Sequence, residues 1–342
     1  MLPSEPSLAS GKHIVFVAAG YPAIGMGHVY RTLMLARELH DFRVSFLLTR
    51  ESESFAFDFV APHYPVSTQS GHACLASEVL SLKPDLVIND ILATDASYIG
   101  ALKATGLPVV NFEDDGPGAD LADLVVNALY ESKSDTNPHR LYGHRYFCLR
   151  DEFLKAEPNV FRSRIKRVLV TFGGTDASDF TSKTLDSIFD LCRDRAIAVS
   201  VVAGPGYAHR EALESRINEL DPGAALITFT HATNVMSREM EQADIALCSA
   251  GRTVYELAHM RIPAIVLAHH EREDMHTFAR PRNGFVYLGV MRDFRPERVV
   301  RAFSRLLDPG SRHPLYDRLC RFDFRPNKAR VIARIQSLLP KT

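Results

Sequence analysis

The chain has 342 residues, 46% of them hydrophobic and 24% charged, with a formal net charge of −1. That length exceeds one ordinary core and predicts two domains. The apolar fraction excludes a disordered protein, and the overall charge gives no reason to expect nucleic acid as a partner.

The five cysteines, Cys74, Cys148, Cys192, Cys248 and Cys320, are odd in number, scattered and without a CxxC pair. This points to reduced thiols in a cytoplasm and away from a zinc site or disulfide framework. The opening MLPSEPSLASGK lacks a basic-then-apolar signal, and no apolar run reaches transmembrane length, so a cytoplasmic location is expected. Charge is nonetheless uneven. Residues 280–342 carry 15 Lys or Arg against 5 Asp or Glu, a surplus of +10 that leaves −11 for the rest. A solvated basic face is the plain reading; a weak membrane-surface association through this basic C-terminal region is the sharper one.

In chain order, the first half offers the short apolar runs HIVFVAA, RVSFLLT, PDLVIND, LPVVNFE and ADLVVNA, with helical patterns in VYRTLMLARELH and ACLASEVLSLK. The second half offers RVLVTF, AIAVSVVA, ALITF, ADIALCS and IPAIVLA, with helical patterns in TSKTLDSIFDLCRD, HREALESRINEL and TVYELAHMR. Short Val- and Ile-rich runs without polar alternation suit strands buried on both faces. Strand and helix alternating twice predicts an α/β chain of two Rossmann-like, doubly wound domains facing a cleft. The join is expected at 150–163, giving domains over 1–155 and 156–342. The last helix, NKARVIARIQSLL, is a candidate to pack back on the first domain. Ligands of such sheets collect at the carboxyl ends of the strands, so motifs there are weighed first.

The first motif is GYPAIGMG followed by HVYRTLMLARELH. Gly25 and Gly27 let the backbone turn and approach a ligand, and His28 stands at the helix start. A third glycine of a dinucleotide fingerprint is missing, since Arg31 stands near its place. A histidine at a helix start is commonly a polar or capping residue. At the mouth of a first strand it becomes a candidate base, kept neutral by the helix dipole.

Gly173, Gly174 and Thr175 follow the first strand of the second half and can point N–H groups and a hydroxyl at phosphate oxygens, or form a plain turn. Asp176 or Ser178 can cap the next helix. Ser249, Ala250, Gly251, Arg252 and Thr253 form a small-residue loop suited to a diphosphate. Glu256, one turn into the following helix, is read as a ribose ligand rather than a surface glutamate.

Glu113, Asp114 and Asp115 end a strand, where carboxylates bind metal, transfer protons or hold the loop. Asp115 is assigned to holding the loop, and Asp114 stays open between loop and substrate. Asp90 ends PDLVIND and faces the same strand ends. His269, His270 and His276 are dense enough to suggest metal, but there is no HExxH, and a ligand-binding loop is the better reading. No metal site and no cofactor are expected, and no GxSxG or P-loop sequence occurs.

Together, GHVYRTLMLARELH, FGGTD and SAGRTVYELAHMRIPAIVLA resemble the GT-B superfamily of nucleotide-sugar enzymes. The similarity runs from about residue 13 to 290 and is greatest to the UDP-sugar hydrolases of the pseudaminic acid pathway and their spore-coat-polysaccharide relatives. VNFEDDGPGADLADLVVNALYE and YFCLRDEFL resemble a subgroup fused to CMP-sugar synthetases. The resemblance implies two Rossmann-like domains, with UDP, rather than CMP, held mainly by the C-terminal one. It implies a catalytic histidine at His28, a ribose-binding glutamate at Glu256, and water attacking the anomeric carbon without metal. The substrate side would comprise Gly25, Gly27, Arg31, Asp90, Asp114 and His270; the nucleotide side Gly173, Gly174, Thr175, Ser249, Ala250, Gly251, Arg252, Thr253 and Glu256. Where the family often has Asn-Gln, this chain has His270-Glu271, a departure that bears on the sugar accepted. The expected activity is hydrolysis of a UDP-linked acetamido or deoxy sugar to free sugar and UDP, in surface-polysaccharide or nonulosonic acid biosynthesis. A glycosyltransferase on the same scaffold is the alternative. A non-catalytic nucleotide-sugar-binding partner is the third reading, which His28 speaks against.

Overall fold

A computed structural model describes residues 10–21, 24–71, 75–131, 137–233 and 235–339. Cys74, the first nine residues and positions 22 and 23 of the first glycine loop lie outside these described residues.

The chain divides into two compact units. The first comprises residues 1–128, 132–148 and 326–342; the second comprises 129–131 and 149–325.

The first unit contains β1 (Ser10–Ala18), α1 (Gly27–Glu38), β2 (Phe42–Leu48), α2 (Glu53–Val60), β3 (Val66–Thr68), α3 (Leu75–Ser81), β4 (Leu86–Asp90), α4 (Ala96–Lys103), β5 (Val109–Phe112), β6 (Leu124–Asn127) and β7 (Arg140–Tyr142). All pairings are parallel, in the order β3-β2-β1-β4-β5-β6-β7. The unbroken apolar run of β1 has a direct cause. Ile14, Phe16 and Ala18 enter one core with Val29, Leu33 and Ala36 of α1. Val15 and Val17 enter another with Val79, Ile99 and Leu102 of α3 and α4. A strand covered on both faces has no position for a polar alternation.

The second unit contains α5 (Asp151–Lys155), β8 (Arg167–Thr171), α6 (Phe180–Arg193), β9 (Ala198–Ala203), α7 (Arg210–Leu220), β10 (Ile227–His231), α8 (Met236–Gln242), β11 (Ile245–Ser249), α9 (Thr253–His259), β12 (Ala264–Ala268), α10 (Glu271–Asp274), β13 (Phe285–Val290), α11 (Pro296–Leu307) and α12 (Pro309–Leu319). Its sheet is parallel, in the order β10-β9-β8-β11-β12-β13. Helix α6 is capped by Asp179, which accepts from Ser182 N, and buries Thr181, Thr184, Leu185, Ile188, Phe189 and Cys192. That three-and-four spacing is one helical face. Helix α13 (Asn327–Gln336) returns to the first unit, where Val331, Ile332 and Ile335 join the Phe16 core. Asn327 Nδ2 donates there to the carbonyls of His144 and Phe147 at 2.8 and 3.0 Å.

Both sheets reverse strand order at one place, between β1 and β4 and between β8 and β11. A doubly wound sheet opens a crevice for ligand at such a point, outside the strands' carboxyl ends.

Candidate functional site

In the first unit the reversal point lies beneath the first turn of α1. Gly25, with φ +76, brings the chain round, and its N–H donates to Tyr21 O at 2.9 Å. Gly27 begins the helix and His28 follows. Asp90, the last residue of β4, is fully buried. Its Oδ1 accepts from His28 Nδ1 at 2.6 Å and from Arg31 Nη2 at 2.6 Å, and its Oδ2 accepts from Arg31 Nε at 2.6 Å. Arg31 Nη1 donates to Glu113 Oε1 at 2.8 Å, and the guanidinium lies 5.1 Å from the Phe112 ring centroid.

This is a buried network of one cation, two carboxylates and an imidazole. Burial alone would raise the Asp90 carboxyl, but the charges of Arg31 and His28 outweigh it and hold Asp90 below its ordinary value. Burial likewise opposes the Arg31 charge, and Asp90 and Glu113 more than offset it. With Nδ1–H donated to the carboxylate, His28 keeps Nε2 as its acceptor. No hydrogen bond to Nε2 forms among the described residues, and the side chain retains 13% exposure. The helix start is therefore not the only field on this imidazole: a carboxylate acts on it with the opposite sign.

Two expectations in this unit are corrected. Asp115 is exposed and Asp114 buried, so the loop-holding role belongs to Asp114. Its Oδ1 accepts from Thr94 N and Gly116 N, both at 2.9 Å, and its Oδ2 from Thr94 Oγ1 at 2.7 Å and Asn111 Nδ2 at 2.6 Å. Four donors use the full acceptor capacity of a carboxylate, leaving Asp114 nothing to offer a substrate. Arg31, expected on the substrate side, is 4% exposed and committed to holding Asp90 and Glu113. Glu113, which holds left-handed backbone at φ +50, is the member of the network that the acidic run offered without a specific role.

In the second unit, Gly173-Gly174-Thr175 leave β8 with Gly173 at φ +86. A Cβ on Gly173 would lie 3.7 Å from Ser249 Oγ, so this turn and the Ser249–Thr253 loop are neighbours. Gly204, absent from the predicted set, packs beneath the turn: a Cβ there would come within 2.4 Å of Gly174 Cα and 2.5 Å of the Gly173 oxygen. Gly206 N donates to Gly174 O at 2.9 Å. Thr253 begins α9, preceded by Arg252.

Glu256 is 7% exposed, and its Oε1 accepts from Arg150 Nε at 3.0 Å; Arg150 also meets Glu152 at 2.7 Å. The Ala250 N–H faces the Glu273 carboxylate, and the Ala250 carbonyl meets His276 Nδ1 at 3.0 Å. Ala250, expected on the nucleotide side, is thus held from behind. His270 is exposed and caps α10, its Nδ1 3.4 Å from Glu273 N. The three histidines serve three separate ends, since His269 stacks on Phe180 with centroids 4.5 Å apart. Among the described residues no cluster of three or more His, Cys, Asp or Glu is arranged to hold a metal ion, and no helix is long and apolar enough to cross a membrane.

No family model matches the chain. It is 29% identical over 273 residues to an uncharacterized protein of Methanocaldococcus jannaschii, a match taking in 75% of this chain and 56% of that protein. The chain thus spans little more than half of that relative. It is 29% identical over 315 residues to the spore coat polysaccharide biosynthesis protein SpsG of Bacillus subtilis, covering 88% of this chain and 89% of SpsG. Among solved structures it is similar to Acinetobacter baumannii MurG, with a TM-score of 0.67 at 17% identity over 95% of this chain and 99% of that one. It is also similar to Anabaena HepE, solved with UDP and glucose, with a TM-score of 0.59 at 13% identity over 95% and 99% of the two chains. The chain accordingly has the GT-B glycosyltransferase fold, two Rossmann-like parallel-sheet domains of seven and six strands.

Proposed function

We propose that the chain is a nucleotide-sugar enzyme that cleaves the glycosyl–phosphate bond of a UDP-linked sugar, with water as the acceptor. The observation that carries this reading is the His28–Asp90 pair at the sheet's reversal point, Nδ1 to Oδ1 at 2.6 Å. Asp90 fixes the imidazole tautomer and orientation, and stabilises the imidazolium that forms when Nε2 takes a proton. Water loses that proton as its oxygen bonds to the anomeric carbon. The bond from that carbon to the β-phosphate oxygen breaks, and UDP leaves with the electron pair.

The leaving diphosphate would rest on the loops of the second unit, Gly173–Thr175 and Gly251–Thr253, with Glu256 on the ribose. UDP in the HepE structures and the sugar-polymer role in the name of SpsG support the substrate class. We infer with it a surface-polysaccharide or nonulosonic acid setting, a cytoplasmic location and a weak membrane-surface association through the basic C-terminal region.

One observation favours a second reading, transfer to a glycan or lipid-linked acceptor. Tyr30, two residues along α1 from His28, is 38% exposed and meets the 41% exposed Phe59 edge to face at 6.1 Å. Exposed rings there offer an acceptor a stacking surface. Incubation with a panel of UDP- and CMP-sugars in isotopically labelled water, followed by NMR and mass spectrometry, separates the readings. Labelled free sugar with free UDP supports hydrolysis. Product formed only when a glycan or lipid-linked acceptor is added supports transfer.

A further inference from the structure

The function proposed above gives no role to two carboxyl groups of the second unit. Asp176 directly follows the Gly173–Thr175 turn and is 4% exposed. Its oxygens accept from Phe180 N at 2.9 Å and Thr181 N at 2.8 Å, and Oδ1 lies 3.8 Å from His269 Nε2. Glu273 stands behind the other loop: a Cβ on Gly251 would lie 4.0 Å from its Oε1. Its Oε2 accepts from His269 N at 2.8 Å, and the N–H of Ala250 faces the carboxyl. Among the described residues neither carboxyl pairs with Lys or Arg; Asp176 has only the His269 contact. Each of the two loops that would receive a diphosphate is therefore backed by a carboxyl group without a compensating cation.

We propose that Asp176 and Glu273 belong to the nucleotide site and that this site takes up its diphosphate together with a proton, held mainly by Glu273. The inference rests on the reading that the diphosphate lies on these two loops. Charge dictates the direction. An ionised carboxylate a few ångströms from a bound diphosphate, in a poorly solvated setting, repels it, and a proton on the carboxyl removes the repulsion. Burial has already moved both groups: Glu273 is pushed up to about 7, with Asp176 adding to the rise, and Asp176 is pushed up to about 6. Near neutrality Glu273 is thus poised to take a proton from solvent when an anion binds beside it.

The surrounding titratable groups do not supply the effect. Glu273 faces Asp176 from the β8 loop, Cys248 from β11 and the His269 backbone from β12, and Glu256 of α9 faces the same Cys248. Burial raises the Cys248 thiol far out of range and pushes His269 and His276 down to about 4, so none of these three changes charge near pH 7.5. Arg272 and His270 face His276, and His270 meets the Glu273 backbone N–H.

The test is calorimetric titration of the full chain with UDP-glucose at pH 7.5, in buffers of different ionisation enthalpy. Both phosphates of this probe are esterified, so it has no group that titrates there; NMR verifies that it survives the titration. Wild-type protein should take up about 0.2–1 proton per probe bound, and affinity should fall as pH rises above 7, by at most about tenfold per pH unit. Glu273→Gln should lose most of the uptake and of the pH slope, and Asp176→Asn a smaller part. Binding without proton uptake by the wild type overturns the proposal and needs no variant. Undiminished uptake in both folded variants overturns it too. Absence of binding by any UDP-sugar between pH 5.5 and 8.5 is the distinct outcome that removes the nucleotide-site reading itself.

Discussion

Asp90 holds His28 by its Nδ1 at 2.6 Å, across 62 positions of sequence, while the same carboxylate carries Arg31 on both of its oxygens. A base oriented in this way should be worth about 10²–10⁴-fold in rate. His28→Asn is expected to lower kcat by that order and to leave UDP affinity, measured by calorimetry, nearly unchanged. The variant should melt close to wild type, because His28 is partly exposed and contributes one contact to the network. Wild-type turnover by His28→Asn would reduce the histidine to a capping residue and remove the mechanism.

Arg31 offers a contrast, since it is structural first. Replacing it with Met would take the guanidinium away from two buried carboxylates, Asp90, 0% exposed, and Glu113, 2% exposed. Breaking a buried pair in this way costs about 3–5 kcal/mol. Urea unfolding of Arg31→Met should show a loss of that order, and adding Glu113→Gln should recover part of it. A loss below about 1 kcal/mol, the range of an exposed ion pair, would mean that the network is solvated in solution.

Much of this architecture was legible from the chain, and the remainder was hidden for physical reasons. Strands buried on both faces, such as β1 and β11, announce themselves as apolar runs. Strands β3 and β7 span three residues each and give no pattern to read, and β13 is interrupted by Gly289 at φ +82. Glycines beside small residues marked the loops at both reversal points. What joins them was not visible: nothing local ties His28 to Asp90, and Glu113 stood in an acidic run where three carboxylates looked alike. The assignment between Asp114 and Asp115 failed because neighbouring residues of a turn point in different directions, one to Thr94 and Asn111 and one to solvent. Glu273 was masked by the histidines around it.

The glycine turn of the second unit depends on a glycine from another strand end. Gly204→Ala would press a methyl group against Gly174 Cα and the Gly173 carbonyl at 2.4–2.5 Å, and both are backbone. The turn must move, and we expect UDP affinity to fall at least tenfold with kcat at saturation less affected. Equal affinity for UDP in Gly204→Ala, measured by calorimetry, would show that the turn does not contact the diphosphate.

Glu256→Ala tests the ribose. Arg150 would keep its partner Glu152 at 2.7 Å, so the fold should tolerate the change. UDP binding should weaken by about 1–3 kcal/mol, the usual cost of losing charge-assisted hydrogen bonds. A variant that discriminates UDP from a 2′-deoxy analogue as well as wild type does would place the ribose elsewhere.

Glu273 also makes a prediction about stability in the absence of any ligand. Its carboxyl has an ordinary value of 4.5 and is pushed up to about 7 by burial. The native chain therefore holds a proton that the unfolded chain releases between those values, and stability declines as pH rises through them. Asp176, pushed up from 3.8 to about 6, acts in the same direction over the lower part of the window. His269 and His276 oppose it: pushed down from 6.5 to about 4, they bind fewer protons when folded, so stability falls as pH drops below 6.5. Between pH 6.5 and 8 the unfolded histidines are still losing protons and offset part of the Glu273 slope, but they do so equally in Glu273→Gln, so the difference between the two proteins isolates Glu273. The melting temperature of wild type should thus fall relative to that of Glu273→Gln between pH 6.5 and 8. Over that range the difference changes by about 1 kcal/mol, since a carboxyl near 7 is already partly ionised at pH 6.5. Glutamine offers one acceptor oxygen to the N–H groups of His269 and Ala250, which costs about 1 kcal/mol at every pH. The signature is therefore the slope and not the level. Parallel melting curves for the two proteins from pH 6.5 to 8 would show that Glu273 is already ionised in the folded chain, and the buried proton would have to be abandoned.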